Sequence, residues 1–193
     1  QDDLEIENYP IHPLNNREEF SHANALWPLE NGDYMISLRR SSWLIIIDRE
    51  TKKPCWEMQR DAWGGPHDCQ VLENGNIMFF ANGLYAPGQL ASSRVIEMDA
   101  TTGEEVWSYQ GSPPWSFHSP HISGCQRLWS GNTLICEGLW GRLFEVTPEG
   151  EIVWEYISPH MGTVRGQSSG GEGNWVFRAY RYHPDGPEIA GRL

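Results

Sequence analysis

No apolar run in the 193-residue chain approaches the roughly 18 residues that a membrane-crossing helix needs. The most apolar stretch, "WLIIID" at 43–48, is strand-length, so membrane insertion is not expected. Basic residues are scarce: 14 Lys and Arg stand against 26 Asp and Glu, for a net charge of −12. Nucleic acids and anionic membrane surfaces bind clustered cations, so neither is an expected partner. The four cysteines, Cys55, Cys69, Cys125 and Cys136, show no Cys-x-x-Cys spacing, which argues against a zinc ribbon or a thioredoxin-type motif. Buried free thiols are expected in preference to a disulfide. No segment sustains a 3.6-residue apolar period, so helix content should be low. The opening "QDDLEIEN" has neither the basic nor the apolar region of a secretory signal.

What the chain does have is tryptophan, ten of them, and an internal repeat. Three stretches align: "LENGDYMISLRRSSWLIIIDRETKKPCW" (29–56), "LENGNIMFFANGLYAPGQLASSRVIEMDATTGEEVW" (72–107) and "LWSGNTLICEGLWGRLFEVTPEGEIVW" (128–154). Each holds a turn glycine (Gly32, Gly75, Gly131), a short apolar strand, a second strand, a second turn and a tryptophan. Asp48 to Trp56, Asp99 to Trp107 and Val146 to Trp154 are all eight-residue steps. Asn-Gly, Thr-Gly and Glu-Gly turns between short apolar runs are hairpin signals. Four antiparallel strands in roughly 45 to 50 residues describe a β-propeller blade. The expected fold is therefore all-β, with four-stranded antiparallel blades near 20–56, 65–110 and 119–157 in a single partial propeller domain. The ends, 1–19 and 174–193, are expected to add extra or closing strands. Propellers close with about four to eight blades. Three and a part are too few, so either the chain is part of a larger propeller or a second chain or second copy is expected to complete the ring.

The polar residues flanking the repeat do not repeat. Ten residues before the turn glycine stand His22, Gly65 and His121; eight before it stand Asn24, His67 and Ser123. At the far end of the next strand stand Arg39, Asn82 and Gly138. Structural residues would recur like the apolar frame, whereas a site assembled from several blades would vary in this way. Each histidine alone has a structural reading, a hydrogen bond to nearby backbone, and Asn24 and Asn82 have one as turn residues. Arg40, beside Arg39, is expected on the surface. His12, His118, His160 and His183 lie in irregular segments and are read as structural or exposed. Taken together, imidazoles with a guanidinium and an amide suit an oxyanion, with one histidine able to attack its central atom. Three neutral imidazoles would also suit zinc or copper, although only Asp68, beside His67, adds a carboxylate in register.

The motifs "HANALWPLENGDYMISLRR" (22–40), "PHDCQVLENGNIMFFANG" (66–83), "SRVIEMDATTGEEVWSYQG" (93–111), "SPHISGCQRLWSGNTLICEGLWGRLFEVTPEGEIVWEY" (119–156) and "VFRAYRY" (176–182) resemble, in that order, the C-terminal half of arylsulfotransferase-like β-propeller proteins. The resemblance implies a six-bladed ring whose channel transfers a sulfuryl group from an aryl sulfate to a phenol through a sulfohistidine, with no metal and no cofactor. It implies that His22, Asn24 and Arg39 hold the sulfuryl oxygens and that His67 is the nucleophile. His121 and Asn82 would face the substrate, and Asp68 or a backbone carbonyl would fix the His67 tautomer. Trp63, Trp115, Phe117 and Trp140 are candidates for an aryl wall, each with blade packing as the commoner role. A periplasmic or extracellular location follows from the resemblance alone. Two other functions stay open: a non-catalytic scaffold or ligand-binding subunit, and a metal- or quinone-dependent propeller enzyme.

Overall fold

The computed structural model describes residues 4–85, 90–163 and 171–192. Residues 1–3 of the acidic opening, 86–89 of the second repeat and 193 at the C-terminus lie outside the described residues. Three four-stranded antiparallel sheets carry the fold, each a meander in chain order. The first holds β1 (Ala23–Pro28), β2 (Tyr34–Leu38), β3 (Trp43–Ile47) and β4 (Pro54–Gln59). The second holds β5 (His67–Val71), β6 (Ile77–Ala81), β7 (Arg94–Met98) and β8 (Glu105–Gln110). The third holds β9 (Gly124–Arg127), β10 (Thr133–Glu137), β11 (Arg142–Val146) and β12 (Ile152–Ile157). Described helical structure is confined to three-residue 3-10 turns, as the missing helical period predicts.

The repeat is written into the hydrogen bonds. The glycine of each first turn donates its N–H back to the leucine that opens the turn: Gly32 to Leu29, Gly75 to Leu72 and Gly131 to Leu128, each at 2.9 Å. The second turns close on Asp48, Asp99 and Thr147, the third being one residue shorter. The Asp48 carboxylate accepts from the Glu50 and Thr51 amides, and Asp99 does the same for Thr101 and Thr102, the behaviour that makes Asp a turn residue. Beside each second turn the outer pair carries a β-bulge, and the repeat tryptophan sits next to it: Trp56 opposite Ile46, Trp107 opposite Glu97 and Trp154 opposite Glu145.

The chain divides into two compact units, 1–121 and 122–193. In the first unit two sheets share one core. Met35 and Leu44 of the first sheet meet Ile77, Phe79, Ala81, Ile96 and Met98 of the second, with Trp63 buried among them. The period of two puts Ile77, Phe79 and Ala81 on this face. The next residue along, Phe80, packs instead on Phe117, which also meets Tyr109. Because β6 is covered on both sides, all five of its residues are buried. Burying one such side chain is worth roughly 1.5–3 kcal/mol. Trp56 docks on this core, and its indole N–H donates to the Ala100 carbonyl at 2.8 Å, so this repeat tryptophan ties one sheet to the next. The opposite face of the first sheet, with Leu38, Ile45 and Ile47, is covered by Tyr9, whose hydroxyl donates to Glu57 at 2.7 Å.

In the second unit the C-terminal segment lies on the third sheet. The Arg181 amide donates to Gln126 Oε1 at 2.7 Å and the Gln126 amide donates back to the Arg181 carbonyl at 2.9 Å. The Arg181 guanidinium pairs with Glu145 and covers the Trp154 ring. Gly186 donates to the His183 carbonyl at 2.8 Å and closes a turn in this segment. No described residue of 4–19 or 174–192 is in a strand. Among the described residues the extra strands expected at the ends are not formed, in segments where Pro10, Pro13, Pro184 and Pro187 each lack the N–H a ladder needs. The cysteines form no disulfide, with Cys69, Cys125 and Cys136 buried and Cys55 exposed.

Candidate functional site

The candidate residues sit where the first two strands of each sheet meet at the end away from the turn. In the first sheet this end bends through left-handed residues, Ser21 at φ 58° and His22 at φ 51°. In the second sheet the same bend falls on Gly64 and Gly65, at φ 54° and 89°. Glycine adopts that conformation freely, whereas a histidine does so at a cost on the order of 1 kcal/mol. Gly65 is needed for a second reason. A Cβ there would lie 3.3 Å from both Cγ and the carbonyl oxygen of Arg39.

His67 opens β5 and is 4% exposed. Its Nδ1 lies 3.1 Å from the Gly65 carbonyl and 2.7 Å from Asn82 Oδ1. The Asn82 amide is oriented in turn: its nitrogen donates to the Ser119 carbonyl at 2.7 Å, an oxygen that can only accept. Both neighbours of Nδ1 are therefore acceptors, so Nδ1 carries the ring proton and Nε2 carries the lone pair. Burial is the largest influence on this ring, and with the nearby charges of Arg39 and His22 it pulls the pKa down to about 4, from 6.5. At neutral pH His67 is an uncharged imidazole of one defined tautomer.

Arg39 follows β2 and reaches across the first unit, its Nη2 donating to the Pro120 carbonyl at 3.3 Å. Its Nε is buried without a hydrogen-bond partner. None of the ion pairs among the described residues involves it. Burial and the neighbouring Arg40 lower its pKa. A guanidinium in that position has spare capacity for an anion. Burial and the charge of Arg39 also lower the pKa of His121, so His22, His67 and His121 all lie near this cation or its neighbours.

The other expected residues divide. His22 is partly exposed, and its Nδ1 is 2.8 Å from Glu19 Oε2. Asn24 is committed to the wall, donating to the Pro66 carbonyl at 3.1 Å and accepting from the Ser37 hydroxyl. Asp68 is buried at φ 50° on the bulge of β5, and the groups holding His67 Nδ1 are Gly65 and Asn82, not Asp68. Arg40, expected on the surface, is buried: it donates to the Glu19 and Asn16 carbonyls and so tethers the N-terminal segment. Of the aryl-wall candidates, Trp63 and Phe117 belong to the packed interior at 2% and 0% exposure, while Trp115 and Trp140 are exposed.

Three features were not foreseen. Ser93 and Ser119 support Asn82 from behind: the Ser93 hydroxyl donates to the Asn82 carbonyl at 3.0 Å and accepts from the Ser119 amide at 2.9 Å. Tyr85, at φ 62°, stacks flat on His12 at 5.1 Å. That pair lines a small cleft with Asn15, Arg39, Ser42 and Gly65. A tyrosine at positive φ is an outlier that the Gly-Leu-Tyr sequence hinted at only through its glycine. Among the described residues no three His, Cys, Asp or Glu side chains are grouped to hold a metal ion.

Arylsulfotransferases (ASST) share a sequence profile that matches residues 9–159 of this chain. The chain belongs to the arylsulfotransferase family. Membership supports a sulfotransferase-like function at the level of the family. No curated protein matches the chain in sequence. Among solved structures, a protein of unknown function from Bacteroides caccae aligns over 81% of this chain and 53% of its own length, with a TM-score of 0.54 at 15% identity. Virginiamycin B lyase from Staphylococcus aureus aligns over 78% of this chain and 46% of its own, with a TM-score of 0.51 at 18% identity. Hydrazine synthase from Kuenenia stuttgartiensis aligns over 78% and 40%, with a TM-score of 0.52 at 14% identity. These likenesses show an all-β, propeller-like fold and carry no chemistry at such identities. The chain spans about half the length of these structures, or less.

Proposed function

We propose that this chain contributes the sulfuryl-binding and nucleophilic part of an arylsulfotransferase site, with His67 as the nucleophile. One observation carries the reading: His67 is buried, uncharged and held through Nδ1–H by two acceptors, which leaves the Nε2 lone pair as its reactive atom. In the first step Nε2 attacks the sulfur of an aryl sulfate. The N–S bond forms, the S–O bond to the ring breaks, and the phenolate leaves. In the second step a phenol attacks the same sulfur, its proton passes to solvent or base, the N–S bond breaks and neutral His67 returns.

Arg39, which makes no ion pair among the described residues, offers its charge to the sulfuryl oxygens, as charge stabilisation in such a transfer requires. His121 and His22 are further donors near that anion. The Gly65 and Asn82 oxygens accept the Nδ1 proton throughout and so stabilise the positive charge that the ring gains when sulfated. Further blades, whether from the same polypeptide, a second copy or another chain, would complete the ring around this site, in the periplasm or outside the cell. The test is the intact mass of the native protein after brief exposure to p-nitrophenyl sulfate. A single sulfuryl adduct that maps to His67 and disappears on adding phenol supports the reading. An assembled protein that takes up no adduct overturns it and favours the scaffold alternative, for which the committed Asn24 and the Glu19-bound His22 already speak.

A further inference from the structure

We infer that Asn82 is a positioning residue, whose side-chain amide, turned by the Ser119 carbonyl, selects Nε2 as the reacting nitrogen of His67. The inference deepens the proposed function and rests on it for the word reacting; the selection of the tautomer stands without it. A buried amide next to an imidazole is ambiguous on its own, because either of its ends can face the ring. Here the ambiguity is removed one residue further back. The Ser119 carbonyl accepts from Asn82 Nδ2 at 2.7 Å, so Oδ1 is the end turned to His67, at 2.7 Å. The Ser119 backbone is itself held, its amide donating to Ser93 Oγ at 2.9 Å and its hydroxyl donating to the His121 carbonyl at 2.7 Å. Ser93 closes the circuit by donating to the Asn82 carbonyl at 3.0 Å. Asn82, Ser93 and Ser119 are each 0% exposed, so no water competes for these groups.

The choice of an amide over a carboxylate has a chemical consequence. A carboxylate at this place would favour the imidazolium, and a protonated ring has no lone pair for sulfur. An uncharged acceptor fixes the tautomer and raises the basicity of the ring less than a carboxylate would, so burial still holds the pKa down. A weakly basic nitrogen is also a good leaving group, so the sulfated ring gives up its sulfuryl group readily in the second step. The charged and titratable groups around the ring that would share in its protonation are Arg39, His22 and, adjacent in sequence, Asp68.

The decisive measurement is the 15N NMR spectrum of the His67 ring in the intact chain, followed from pH 7 to pH 4, in wild type and in Asn82→Ala. The wild type should show a protonated Nδ1 and a bare Nε2 throughout the neutral range. Asn82→Ala should show both tautomers, and its adduct formation with p-nitrophenyl sulfate should slow about 10²-fold, chiefly in the maximal rate rather than in the half-saturating concentration. A wild-type ring protonated on Nε2 overturns the inference, and this holds even if Asn82→Ala fails to fold. An Asn82→Ala ring that keeps the single tautomer at wild-type rate also overturns it, assigning the task to Gly65. A wild type with the expected tautomer but no sulfuryl adduct leaves the positioning role intact and sinks the sulfuryl-transfer reading instead.

Discussion

The first and second sheets are the same scaffold put to different uses at one end. Both have the Leu-Glu-Asn-Gly turn, both bend through left-handed residues before their first strand, and both place a polar residue eight before the turn glycine. In the first sheet that residue is Asn24, and its amide is used up by the Pro66 carbonyl and the Ser37 hydroxyl. In the second sheet it is His67, with one nitrogen used by the wall and the other without a hydrogen bond among the described residues. The same exchange holds at the end of the next strand. Arg39 keeps a buried Nε without a hydrogen-bond partner, while the Asn82 side chain is held by His67 and Ser119. Each sheet therefore gives one residue to support and one to chemistry, at opposite positions.

The sharpest way to break this comparison is to exchange the roles. His67→Asn should abolish the sulfuryl adduct, a loss of roughly 10⁴-fold or more, as removal of a covalent nucleophile does. Asn24→Ala should keep the adduct and cost about 1–3 kcal/mol of stability instead, because it leaves the buried Pro66 carbonyl and Ser37 hydroxyl without a partner. Intact-mass kinetics and urea denaturation read the two quantities separately. Should Asn24→Ala match His67→Asn in adduct loss with unchanged stability, the two sheets are not divided as described.

A second contrast, between the shared core and the surface of one sheet, gives the next largest effect. Phe79→Ala removes a fully buried ring between the first two sheets and should cost about 3–5 kcal/mol in chemical denaturation. The neighbouring Val106, 55% exposed on β8, should tolerate alanine within about 0.5 kcal/mol. Equal effects would mean that the two sheets do not fold as one body.

The frame was legible in the sequence because it repeats. Turn glycines, eight-residue steps and short apolar runs each occur three times, so coincidence is easily dismissed, and the strands fall where those signals put them. The site was legible only as a list. His67 and Arg39 stood out because they broke the repeat, but breaking a repeat says nothing about hydrogen bonds. The sequence could not show that Asn24 is spent on a carbonyl 42 residues away. It also could not show that Asn82, in Phe-Phe-Ala-Asn, owes its orientation to a carbonyl 37 residues on. Arg40 misled for a related reason: a charged residue at a strand end is usually solvated, and only the N-terminal segment folding over it supplies the carbonyls that let it be buried. Long-range backbone acceptors carry no local sequence signal.

The buried state of His67 makes the pH response of the second sheet differ from that of the first. Its pKa is about 4 in the folded chain and 6.5 when exposed. Between those values the unfolded chain binds the additional proton, so stability falls as pH drops through that window, by on the order of 3 kcal/mol in all. His118 and His121, whose pKa values are lowered by burial, act in the same direction. The difference between wild type and His67→Gln in urea midpoints from pH 7 to pH 4 isolates the ring: wild type should lose stability more steeply. Adduct formation should persist to about pH 5, because the nucleophile stays uncharged. A midpoint near 6.5 in that profile would mean that water reaches the ring and that the wall does not hold it as drawn.

The smallest effect tests whether the repeat tryptophans are equivalent. Trp56 and Trp154 occupy the same place beside the bulge of their sheets. Trp56 is packed on the shared core and its N–H donates to Ala100. Trp154 is 40% exposed and its ring is covered by Arg181. Phenylalanine at either place keeps an aromatic face and deletes the N–H. Trp56→Phe should therefore cost about 1 kcal/mol, the net worth of one hydrogen bond plus some lost contact. Trp154→Phe should change stability by less than about 0.5 kcal/mol, since the stacked guanidinium is satisfied by any aromatic ring. A larger cost at Trp154, appearing only as protein concentration rises, would mean that another sheet docks there in solution as the second sheet docks on the first.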